Sequence, residues 1–249
     1  MKHKTVLAIA LVLLGITIPV RAEQRSLGAT FDATYMSRLM DKGGEYYGKQ
    51  GGFLQGVNLD LWGTGLGVAV GHRAATSSGY QAKERYDYKV HYGRSLFADQ
   101  AFETKTAAAW VYHHLPEGGA QFEDYYEVEV AFAWPKLVPG GWVPGYQFNG
   151  EHGLGTDISN ADWWHLLSLR KEVDLEQLPN PLNLYADMAY RDGLGGIRAW
   201  THATIGVSTE IAIASQVFVI PGIFHQFSMS DLLTKDDVTY AVISAQYRH

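Results

Sequence analysis

The clearest pattern in the chain is the strict alternation over Tyr125–Trp134, YYEVEVAFAW. Tyr126, Val128, Val130, Phe132 and Trp134 fall on one side, and Tyr125, Glu127, Glu129, Ala131 and Ala133 on the other. A period of two is that of a β-strand with two different faces. The stretch is also as long as a tilted strand must be to cross a bilayer, roughly 9–11 residues. Two glutamates in mid-face demand water on that side. Tyr and Trp close the ends of the apolar side, as they do at membrane–water boundaries.

The same period recurs along the chain. Leu27, Ala29, Phe31, Ala33 and Tyr35 alternate with Gly28, Thr30, Asp32 and Thr34. Val57, Leu59 and Leu61 oppose Asn58 and Asp60, and Leu66, Val68 and Val70 begin a third strand. Arg85, Asp87, Lys89 and His91 alternate with Tyr86, Tyr88, Val90 and Tyr92. Residues 104–112 and 163–171 read as strands of undecided facing. Tyr146 and Phe148 oppose Gln147, Asn149 and Glu151. Leu182, Leu184, Ala186, Met188 and Tyr190 oppose Tyr185, Asp187 and Arg191, and Ala203, Ile205 and Val207 oppose His202, Thr204 and Gly206. Val217–Gln226 is weakened by Pro221, which brings no backbone N–H to a ladder. Val238–His249 is the last strand. About twelve strands result, joined alternately by longer polar connections such as Asp41–Gly52 and shorter turns such as Trp62–Gly65. Trp62, Trp134 and Trp142 gather at the short turns, whereas Tyr35, Tyr126, Tyr190, Trp163 and Trp164 gather near the long ones, as two aromatic girdles would require. An even, closed count is expected because lipid cannot satisfy an open strand edge. The fold expected is therefore an all-β, closed antiparallel transmembrane β-barrel of about twelve strands.

Composition agrees. Aromatic residues make up 13% of the chain against 18% charged, with 27 Gly and no Cys, which leaves no disulfide framework and no thiolate metal site. Residues 1–22 read as a secretory signal peptide: Lys2 and Lys4, an apolar Thr5–Val20, and a small-x-small end at Val20-Arg21-Ala22. Residues 23–249 form the barrel. The net charge of −6 disfavours nucleic acid as a partner.

The terminal VTYAVISAQYRH resembles the assembly signal at the C-terminus of bacterial outer-membrane proteins, although it ends in Tyr-Arg-His rather than Phe. TFDATYMSRL and GGFLQGVNLDLWGTGLGVAVG resemble segments of small, largely uncharacterised porin-like outer-membrane β-barrel proteins of Gram-negative bacteria. The resemblance implies export to the outer membrane, contact with its lipid, and delivery to the assembly machinery through the last strand. It carries no catalytic motif and no cofactor.

Asp32, Asp60, Asp87, Lys89, His91, Glu127, Glu129, Glu151, Asp187 and Arg191 fall on the water-facing side and are expected to line the lumen, with Arg85 beside them and Arg38 near a rim. Acids outnumber bases there, so a pore of mixed charge would mildly prefer cations. Alternatively these groups pair across the lumen and plug it. His113-His114 near Glu117 reads as an exposed loop end rather than a metal site. His225 with Ser228, and His165 with Ser168, are three apart on extended segments and so point to opposite faces, which disfavours a rim-located lipid hydrolase. The function expected is passive diffusion of small hydrophilic solutes. The rival is a non-conducting structural or adhesive barrel that uses the Asp41–Gly52 loop as its contact surface.

Overall fold

A computed structural model of the chain describes residues 27–77, 84–116, 124–154, 162–193, 197–231 and 235–249; the proposed signal peptide and Glu117 lie outside them. Twelve long strands form one closed antiparallel barrel. In order they are Gly28–Met36, Gly52–Asp60, Leu66–Ala75, Glu84–Leu96, Thr104–His114, Tyr125–Ala133, Val143–Gly153, Asp162–Val173, Leu182–Gly193, Ile197–Thr209, Val217–Ser228 and Val238–Arg248. Each pairs with its sequence neighbours, and the first closes the sheet on the last, with Thr30 opposite Arg248 and Met36 opposite Val242. A short strand, Ile211–Ala214, extends one hairpin. Backbone bonds between Ala29 and His249, 3.2 and 2.8 Å, hold the start of the first strand and the end of the last at one rim, here called the terminal end.

The undecided strands resolve by register. Tyr112 faces Tyr126 and Tyr88, which puts Tyr112 outside and Val111 and His113 inside. Leu167 and His165 face Tyr146 and Phe148 and lie outside, so Trp164 points inward. Trp164 is 7% exposed and is not part of the girdle. Pro221 sits within a continuous strand opposite Ile243, on the outer face. The difference between long and short connections is smaller than the sequence suggests: 174–181 is as long as 76–83, and only 37–51 stands out.

Burial runs opposite to that of a soluble protein. The outer wall exposes Ile223, Ile205, Val70 and Leu167, while the most enclosed side chains include Arg85, Glu127, His202 and Gln226. Large contiguous apolar exposure is unstable in water and natural in lipid. Tyr35, Phe53 and Trp163 ring the outer wall near one rim, and Phe31, Trp62 and Tyr247 ring it near the terminal end.

Candidate functional site

The longest connection, 37–51, folds into the barrel instead of outward. It carries a small hairpin, Met40–Asp41 against Gly44–Glu45. Lys42 and Gly43 form its tip with φ of 47° and 80°, the left-handed pair that a tight two-residue hairpin requires. Gly43 is needed twice over, because a Cβ there would also strike the His202 imidazole. Leu39 and Tyr47 are each 1% exposed and wedge the hairpin's base against the wall.

Charge holds the tip. Lys42 Nζ donates to Glu127 Oε1 at 2.8 Å and also to Glu151. Asp41 accepts from Arg73 Nη1 at 2.6 Å and pairs with Arg85 at 3.4 Å. Both guanidinium groups also lie over the Tyr46 ring, at 5.1 and 5.9 Å from its centre. Gln226 Nε2 donates to the Gly43 carbonyl at 2.9 Å, tying the tip to the opposite wall. Arg38 pairs with Glu45 within the same connection. Burial alone would raise the Asp41 carboxyl, but Arg73, Arg85 and Lys42 outweigh it and hold Asp41 well below the usual carboxylate range. Burial against the wall pushes the Tyr47 hydroxyl up to about 12.

The residues that the alternation assigns to the water-facing side divide between two settings. Near the hairpin, Asp87 accepts from His113 Nδ1 at 2.6 Å and from Arg85. Glu127 takes His113 Nε2 at 3.1 Å, Lys42 and the Asn149 amide, and Glu151 takes Lys42. Arg191 Nε donates to Asp162 at 2.9 Å while its guanidinium lies 5.0 Å from the centre of the Trp164 ring. Lys89 pairs with Glu129. Toward the terminal end, His91 meets Asn58 at 2.7 Å and Asp60 accepts from the Gly63 amide at 2.9 Å within a turn. Asp187 bonds Tyr185 and the Thr204 amide, and Asp32 makes no ion pair among the described residues. Two cavities of about 500 and about 460 Å³ occupy the interior, the first touching Asp32, Lys42, Glu129 and Asp187 and the second Arg170, Tyr185 and Phe224.

Two expectations change, and one alternative resolves. His113 is not a loop end: at 3% exposure it is clamped between Asp87 and Glu127, while His114 turns outward to Asp124. The 41–52 loop, the proposed adhesive surface, is turned inward. Of the two settings left open for Glu127 and Glu129, open wall or pairing across the interior, they take the second, engaged by Lys42, His113 and Lys89. Sequence reasoning put Asn149 on the water-facing side but missed Asp41, Lys42, Arg73 and Asp162. Arg73 was within reach, since it continues the Gly67, Ala69, Gly71 side of its strand. Lys42 was not, because no periodicity says where a loop goes. His225 faces outward and bonds Thr239, whereas Ser228 pairs on the other face with His202.

No protein-family model matches the chain, and no curated protein matches it. Solved structures do match. The KdgM porin superposes with a TM-score of 0.52 at 7% identity, over 88% of this chain and 98% of that one. The NanC porin gives 0.53 at 8%, over 87% and 98%. An outer-membrane channel from Pseudomonas putida F1 gives 0.51 at 9%, over 94% and 100%. The fold is that of porin-like outer-membrane barrels. Identities this low carry architecture and leave the choice of solute to this chain's own side chains.

Proposed function

We propose that the protein is an outer-membrane channel for passive diffusion of small hydrophilic solutes, mildly preferring cations, with the inward hairpin as its constriction. The observation that carries this is the inversion of the barrel: an apolar outer wall around an interior of charged side chains and two cavities. A barrel of this size encloses more room than its wall side chains fill. The likeness to KdgM and NanC supports a channel over an enzyme. Residues 1–22 direct export, and the last strand is the segment offered to the assembly machinery.

The preference for cations is modest because most of the acids are matched. Asp41, Asp87, Glu127, Glu129, Glu151 and Asp162 each have a cationic partner, whereas Asp32, Asp60 and Asp187 are among the carboxylates that have none among the described residues. Unmatched negative charge in a confined wall enriches cations and repels anions. The test is the reversal potential in a planar bilayer under a salt gradient. Wild type should favour cations weakly, and less so at 1 M salt, where the Debye length is about 3 Å. Glu127→Gln with Glu129→Gln leaves Lys42 and Lys89 less compensated and should shift selectivity toward anions. A reversal potential that does not move takes these two glutamates off the solute path.

The close packing of Leu39 and Tyr47 favours one rival, a permanently plugged structural barrel. Absence of any conductance from correctly folded protein would establish that reading instead.

A further inference from the structure

The two cavities differ in chemistry. Around the hairpin the wall is ionic, whereas the ninth to twelfth strands add an inward aromatic row to their polar groups. Tyr185, Gly206, Phe224 and Tyr240 are successive register partners, so they form one inward row across four strands. The Phe224 ring lies flat on the wall. A Cβ on Gly206 would run into its edge atoms, and one on Gly222 would lie 2.9 Å from its Cε2, so the two glycines leave the space the ring occupies. The Tyr240 ring stacks with an offset on Phe224, 5.5 Å between centres and 17° from parallel, so the two overlap like shingles. Tyr185 meets Phe224 edge-on at 6.2 Å. All three rings are half-buried and keep area toward the interior.

The row is diagonal. Tyr185 lies toward the Leu182 end of its strand, at the terminal rim, while Tyr240 lies two residues from Val238, beside Gln226 and the docked hairpin. Tilted strands make any row perpendicular to them climb the barrel. At a strand spacing of about 4.8 Å the row spans about 14 Å across the wall. Donors and acceptors flank it: Arg170 stacks at 5.4 Å on Tyr185, Asp187 accepts the Tyr185 hydroxyl, and Asn183 and Ser208 line the same cavity.

We infer that this row is a binding track for pyranose sugars. A pyranose offers one flat face of C–H groups and a rim of hydroxyls. The shingled faces of Phe224 and Tyr240 accept the first, and Arg170, Asn183, Ser208 and Asp187 beside Tyr185 accept the second. Nothing else about small-solute diffusion requires an aromatic tile inside a polar lumen, and an aliphatic residue would fill the same wall without one. Rings spaced along the path let a sugar move from one to the next while remaining partly bound. The inference rests on the channel reading only for transport; binding stands apart from it.

The test uses the full-length barrel and maltohexaose as probe, with polyethylene glycol of matched hydrodynamic size as control. Calorimetric titration in detergent reads binding, and planar-bilayer current reads interruption by the bound sugar. Maltohexaose should bind and interrupt the current, and polyethylene glycol should do neither at the same concentration. Phe224→Leu keeps apolar volume but loses the flat face and should weaken binding about tenfold. Phe224→Tyr should retain it, and unchanged migration of unboiled protein controls for folding. Equal interruption by polyethylene glycol, or unaltered affinity in Phe224→Leu, overturns the track. Sugar binding without ion conductance overturns the channel and keeps the track. Conductance without sugar binding does the reverse. An acidic oligosaccharide that binds equally well to wild type and Phe224→Leu would assign recognition to charge at Arg170 and overturn the aromatic reading.

Discussion

Lys42→Met should release the inward hairpin. The substitution keeps most of the side chain's length and removes its charge. Glu127 would keep His113 and Asn149, but Glu151 would lose its only ion-pair partner among the described residues. Breaking a buried pair from one side costs about 3–5 kcal/mol. Lys42 and Glu151 are 22 and 23% exposed, so water recovers part of that. About 2–3 kcal/mol then remains, which shifts the docked-to-undocked ratio roughly 30- to 150-fold. The native chain has no cysteine, so a single introduced thiol reports cleanly. Val111 is the choice: it is 3% exposed, pairs with Glu127 in register and lines the cavity that Lys42 also lines. In vesicles, a membrane-impermeant thiol reagent should label Val111→Cys slowly in the wild-type background. With Lys42→Met added, labelling should accelerate by about the same 30- to 150-fold, since access tracks the opened fraction. Single-channel conductance should rise in parallel. Labelling rates within threefold of each other, together with unchanged conductance, would show that Leu39 and Tyr47 hold the hairpin and that Lys42 does not.

Val130→Arg places a charge on the lipid face and should cost about 2–4 kcal/mol in folding into bilayers, whereas Ala131→Arg faces the interior and should cost far less; equal costs would contradict the facing. The hairpin should stay docked over a wide pH range. Asp41 is depressed in the fold, so its contribution is complete above its unfolded value of about 3.9 and is lost only as pH falls toward its much lower folded value. Lys42 moves the other way: desolvation works against it, but Glu151, Glu127 and Asp41 raise it, so its contribution is complete below about 10.4 and fades above that. The labelling rate of Val111→Cys, divided by that of the Lys42→Met, Val111→Cys double variant at the same pH so that the thiolate fraction cancels, should therefore be flat between about pH 6 and about pH 10, and a step inside that window would refute this balance. Membrane fractionation should place the protein in the outer membrane, with unboiled and boiled samples migrating differently; release by carbonate or salt would rule out an integral barrel.

Strand count, face and closure were legible in the sequence because they are local. A strand in lipid must alternate, so Glu127 and Glu129 point away from Val128 and Val130 whatever the rest of the chain does. Closure follows from the backbone's need for partners in hydrocarbon, and it fixed the last strand against the first. Facing failed where the local signal is flat, as in the alanines of 107–109, or doubled, as in Trp163-Trp164, where one indole faces lipid and the next covers Arg191. Pairing across the interior was not legible. Lys42 and Glu127 are 85 residues apart, and their meeting depends on a loop turning inward, which Lys42-Gly43 permits but does not dictate. The aromatic row needed the register as well: Tyr185, Phe224 and Tyr240 lie on three different strands, and only pairing through Gly206 brings their rings into contact. Alternation sorts side chains between lipid and interior one strand at a time, whereas the chemistry of the interior is set by which strands are neighbours and what the longest loop covers.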